Sequence, residues 1–191
     1  AQPLAIVPHA RALLVGWTAD AERMLDLAEE EWDTEGGPIS PVPYTVDEEG
    51  ELIPWLPGAD HPLRQRLVNS HQRFAHREYE NQRRILEELL DDLVPARLGL
   101  LEDPESGTLL TVTAWTEGVD TLLPLATLVT LHPRKGASLL VTWHDLSSVI
   151  GEALPLRDDL DPPRVDPSRW PDDEEIAMLR ALSIAEDVAV E

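Results

Sequence analysis

The sequence predicts an α+β fold: a mostly antiparallel sheet of about 4–6 strands, a long helix packed on one face, and a C-terminal helical extension. Three observations carry this prediction. Apolar runs of strand length are joined by short links rich in Gly, Pro and Asp. The segment 61–93 keeps a helical apolar period. A capping pattern opens a last helix after Pro171.

Residues 11–17 read as a short buried strand. Thr18 is placed to cap the next helix, with Asp20 and Glu22 suited to its dipole. Ala21, Met24, Leu25, Ala28 and Trp32 share one face of that helix, the opposite face is acidic, and Gly36-Gly37-Pro38 ends it. A hairpin follows, in which 42–46 and 51–56 flank Asp47-Glu48-Glu49-Gly50, with prolines that suit an edge. Asp60 caps the long helix, which at about 1.5 Å per residue spans roughly 48 Å and stops before Pro95. Segments 96–101, 109–115, 125–131 and 138–143 then have strand character and form a meander, followed by a short helix over 145–153. Residues 155–171, rich in Pro and Asp, read as an extended arm. In the last helix Ile176, Leu179, Leu182 and Ala185 lie on one side. The expected organisation is a single α+β domain over 1–154 and an arm with a terminal helix over 155–191, docking on the domain or on a partner.

The formal net charge is −22, with fourteen arginines but a single lysine, Lys135. Such a surface repels phosphate backbones and anionic membranes, and it favours a basic partner. Cysteine is absent, which excludes disulfides, thiolate nucleophiles and Cys-ligated zinc and suits a reducing compartment. The first residues lack the basic and apolar runs of a signal peptide, and no stretch reaches the ~20 apolar residues of a membrane helix. A cytoplasmic location is therefore expected.

The most informative pattern lies on the long helix. Arg66, Arg73, Arg77 and Arg84 fall within roughly a 40° sector, while Glu87, Glu88, Asp91 and Asp92 follow at its end. That order opposes the helix dipole, which prefers acids first and bases last. The stripe is the candidate binding site. It pairs with the same helix of a second copy, antiparallel, or with Asp26, Glu29, Glu30 and Asp33 of the first helix, or it is a solvated face.

Catalytic patterns are weak. His76 and Glu80 have i,i+4 spacing, but His71 lies about 140° from His76, so no two-His clamp forms. His132 and His144 bracket the last hairpin at opposite ends. Ser106 lacks the Gly-x-Ser-x-Gly context, and Arg134-Lys135 lacks a phosphate-cradling loop. The face made by Thr111, Thr113 and Trp115 with Leu139, Val141 and Trp143 either packs or binds a peptide. No catalytic residue, metal or cofactor is assigned. The expectation is a non-enzymatic acidic protein-binding protein (an adaptor, regulator or small chaperone) that can form a homodimer. A metal-dependent hydrolase and an acidic DNA mimic are the alternatives.

Overall fold

The computed structural model describes residues 1–32 and 39–184. It is an α+β protein with twelve strands in three four-stranded sheets and four α-helices among the described residues. The strands expected in one sheet of 4–6 are thus divided among three. Two compact units, Ala1–Phe74 and Ala75–Glu191, meet in sequence inside the long helix.

The first unit holds β1 (Pro3–His9), β2 (Ala12–Trp17), α1 (Ala21–Trp32), β3 (Tyr44–Val46), β4 (Leu52–Pro54) and the first turns of α2 (Arg64–Leu89). Its sheet is antiparallel in the order β2-β1-β3-β4. Strand β1 escapes a reading of the sequence because it begins at Pro3 and its pairing shifts register between Ile6 and His9, around Pro8. Both positions are ones at which a strand tolerates proline. Thr18 does not cap α1. A 3-10 turn, Thr18–Asp20, comes first, and the Thr18 hydroxyl accepts from Gln2 N at 3.1 Å. Ala21, Met24, Leu25 and Ala28 are buried as their spacing predicts, against Leu4, Ile6, Trp55 and Leu67. Burying each large aliphatic chain there stabilises the unit by about 1.5–3 kcal/mol. The Gly36-Gly37-Pro38 stop, Asp33, Ala185 and the side chain of Trp32 lie outside the described residues.

The β3–β4 hairpin forms around Asp47, whose Oδ1 accepts from Glu49 N at 3.0 Å and Glu51 N at 2.8 Å. Gly50 takes the left-handed conformation, φ 88°. Helix α2 has 26 residues, about 39 Å. It is shorter than expected at both ends. His61 Nδ1, rather than Asp60, is the side-chain group that meets the entry, accepting from Leu63 N at 3.1 Å. Asp91 and Asp92 are unfavourable at a helix C-terminus, and Val94 turns away to pair with Thr121.

The second unit holds β5 (Val94–Pro95), β6 (Gly99–Glu102), β7 (Leu109–Thr116), β8 (Thr121–Pro124), β9 (Leu128–His132), β10 (Leu139–Thr142), α3 (Trp143–Ile150), β11 (Leu156–Arg157), β12 (Arg164–Val165) and α4 (Asp173–Leu182). The expected meander is interrupted. Strands β6 and β7, and β9 and β10, are antiparallel neighbours, but β7 and β9 run parallel because β8 leaves for another sheet, β11-β12-β8-β5. All four β8 residues are buried. The stretch expected as an extended arm supplies β11 and β12 to that sheet. Helix α4 starts with the expected capping box, Asp172 to Glu175 N and Glu175 to Asp172 N, and buries Leu179 beside Trp115, Leu131 and Val141.

Candidate protein-binding surface

Strand geometry sends successive side chains to opposite faces. In β2 this puts Ala12, Leu14 and Gly16 toward α1 and Leu13, Val15 and Trp17 outward. Register carries the division across the sheet: Val15 stands opposite Ala5, Ala5 opposite Tyr44, and Tyr44 opposite Pro54. Val46 and Leu52 pair on the same side. The inner side is closed by α1, whereas on the outer side Leu13 is 63% exposed, Val15 71%, Trp17 55% and Leu52 70%. No residue of this outer set carries charge. Beyond Val46 and Leu52 lies the hairpin tip, with Asp47, Glu48, Glu49 and Glu51. An apolar surface with an acidic margin results.

This surface was not legible from the strand alone. Leu13, Leu14 and Val15 are consecutive apolar residues, so the pattern marks a strand without saying which side is covered. The turn beside it is tied down by His9. Its Nδ1 accepts from Arg11 N at 3.1 Å, which leaves the ring proton on Nε2, 2.9 Å from Glu31 Oε2 on α1.

The arginine stripe is used differently along its length. In the first unit Arg66 Nη1 lies 2.8 Å from Asp26 Oδ1, and its Nε and Nη2 donate to the two oxygens of Glu29 at 3.0 and 2.9 Å. The pairing expected with the first helix therefore holds for Arg66, and the hydrogen bonds to Glu29 raise its pKa. Arg73 is exposed and lines a shallow depression with Pro62, Gln65 and Asn69. In the second unit Arg77 is half-buried, and Arg84 is exposed with its Nη2 donating to Asn81 Oδ1 at 2.5 Å.

Glu80 is paired with Arg83, which also binds Glu87. The spacing to His76 thus describes a carboxylate already engaged. No three His, Asp or Glu side chains converge as metal ligands among the described residues, and no described helix is long and apolar enough to cross a membrane. The Thr and Trp face of β7 is covered: Thr111, Thr113 and Trp115 are buried, and Trp115 meets Trp170 edge-on at 4.8 Å between centroids. Arg134 N donates to Glu117 at 2.7 Å, and the Arg134 guanidinium lies across Gly118.

No protein family matches the chain, and no curated protein or solved structure matches it either.

Proposed function

We propose that the protein is a non-enzymatic, cytosolic protein-binding protein, acting as an adaptor, regulator or small chaperone, and that its docking surface is the outer face of the first sheet. The observation behind this reading is the exposure of Leu13, Val15 and Trp17 side by side on one strand, with Leu52 on the opposite edge. Contiguous exposed apolar surface with a polar margin is a feature of interaction sites. A partner that covers these side chains gains roughly 1.5–3 kcal/mol for each large one taken from water. Trp17 is the natural anchor, since tryptophan is enriched among the residues that dominate interfaces.

The partner presents an apolar segment bordered by Lys or Arg. The hairpin carboxylates and the net charge of −22 attract such a segment and speed its encounter. They disfavour nucleic acid and anionic membranes as targets.

The test is comparative capture of bound proteins by the wild type and by Trp17→Asp and Leu52→Asp. Both side chains are largely exposed, so the variants are expected to keep the wild-type circular dichroism and melting temperature. The expected result is loss of a partner from both variants. Recovery of the same partners in the same yield by all three proteins would show that the face is not the docking surface.

A further inference from the structure

We propose that a second copy of the chain extends this surface, joined edge to edge through antiparallel pairing of β2 with β2. This rests on the reading of the outer face as a binding surface and names what extends it.

Strand β2 is an edge strand. It runs Ala12–Trp17 with no proline and no charged residue, so it lacks the devices by which edges are protected from pairing. With Val15 at the two-fold axis its sequence is self-complementary. With Val15 opposite Val15 of the second copy, Leu13 meets Trp17, Trp17 meets Leu13, and Leu14 meets Gly16. Every pair then keeps its face, since opposed residues in an antiparallel ladder point to the same side. A slip of one residue would set Leu14 against Val15, one from the α1 side and one from the outer side. In the matched register Leu13, Val15 and Trp17 of both copies form one apolar patch across the two-fold axis, and the sheet becomes eight-stranded.

Charge agrees with this arrangement. Arg11 precedes β2 and Asp20 follows it, and both are exposed. Antiparallel pairing about Val15 brings Arg11 of one copy beside the Ala19-Asp20 turn of the other, twice by symmetry. The acidic β3–β4 hairpins lie at the far edges, three strands from β2. At about 4.8 Å per strand this puts them roughly 30 Å apart, beyond the ~8 Å screening length at physiological salt. The hairpin carboxylates of each copy are thus kept from the contact.

The chain has no cysteine, so a single introduced thiol reports one contact. Under mild oxidation Val15→Cys is expected to link into a disulfide dimer, because its mate lies within the ~4.4–6.8 Å Cα range of a disulfide. Leu13→Cys alone is expected not to link, since its copy lies about 13 Å away along the ladder. A mixture of Leu13→Cys and Trp17→Cys should give the mixed dimer. Light scattering is expected to show twice the chain mass for the wild type and one chain mass for folded Val15→Lys. A monomeric wild type, or a dimer in which Val15→Cys links no faster than Leu13→Cys, would overturn the pairing. Either result leaves the docking reading standing if Leu52→Asp, on the opposite edge, still loses its partner. Val15→Cys linking normally while Leu52→Asp keeps every partner would instead remove the docking reading and retain the dimer.

Discussion

Arg164 Nε donates to Gln82 Oε1 at 2.5 Å, and the arginine is fully buried. Its Nη1 reaches Ala96 O at 2.9 Å and Leu122 O at 3.1 Å, and its Nη2 reaches Tyr79 O at 3.2 Å. Among the described residues all its hydrogen bonds go to neutral oxygens. Desolvation lowers its pKa to about 10, which still leaves it charged at neutral pH. Tyr79 and Gln82 also hold the chain just before it: Tyr79 Oη donates to Pro163 O and Gln82 Nε2 to Pro162 O, each at 2.6 Å. The guanidinium thus ties α2, the β5–β6 connection, β8 and β12 together inside the second unit.

Replacement of this cation should be costly. Arg164→Met takes the donor from Gln82 Oε1 and Ala96 O, whereas Leu122 O keeps Ala96 N at 2.9 Å, and each buried group left unpaired costs about 1–3 kcal/mol. A total loss of about 3–5 kcal/mol is expected in chemical denaturation. Arg164→Lys keeps the charge but lacks the planar fork and should lose nearly as much. A lysine variant as stable as the wild type would show that charge, not geometry, matters there.

Gly118 has φ 78°, and a Cβ on it would stand 2.1 Å from Arg134 Nη2. The arginine tip can swing aside, so backbone strain decides the cost. Gly118→Ala should destabilise by about 1–2 kcal/mol, lowering Tm by about 2–8 °C. Gly58 has open space around it and no positive φ. Gly58→Ala is expected to be neutral or to stabilise by up to about 1 kcal/mol. Equal melting temperatures for the two alanine variants would contradict this account.

The Arg66 cluster offers a measurable pair energy. The carboxylates of Asp26 and Glu29 are about half exposed, so solvent screens them. A double-mutant cycle with Arg66→Ala and Glu29→Gln should give a coupling of about 0.5–1 kcal/mol that shrinks in high salt. A coupling near zero at low salt would mean the bidentate contact contributes nothing.

His71 Nε2 is buried without a hydrogen-bond partner among the described residues. Desolvation, and then the charge of Arg64, depress its pKa below the usual 6.5. The unfolded chain therefore takes up a proton first as pH falls. Stability from this group is complete above about pH 6.5 and is lost progressively below it, toward the depressed folded value. Denaturant midpoints measured between pH 7 and pH 5 should fall, and His71→Gln should flatten that slope. An unchanged slope in the variant would remove His71 as its source.

Several parts of the fold were legible because their causes are local. Asp47 and Gly50 announce the β3–β4 turn, since one side chain and one backbone conformation build it. Asp172 and Glu175 announce the start of α4 for the same reason. The apolar period of α1 places Ala21, Met24, Leu25 and Ala28 together, and all four are buried. Strands β11 and β12 were hidden because each has two residues, too few for a period, in a stretch whose Pro and Asp content reads as an arm.

The sequence by itself determined the α+β class, the acidic surface, the absence of thiol chemistry, and the turns and caps that residues a few positions apart can make. Tertiary structure alone decided that Arg66 meets Asp26 and Glu29, that Arg164 goes inside, and that Trp17 faces out. Burial and pairing depend on which distant segment arrives at a given face. Consecutive apolar residues such as Leu13, Leu14 and Val15 carry no record of that until α1 closes one side.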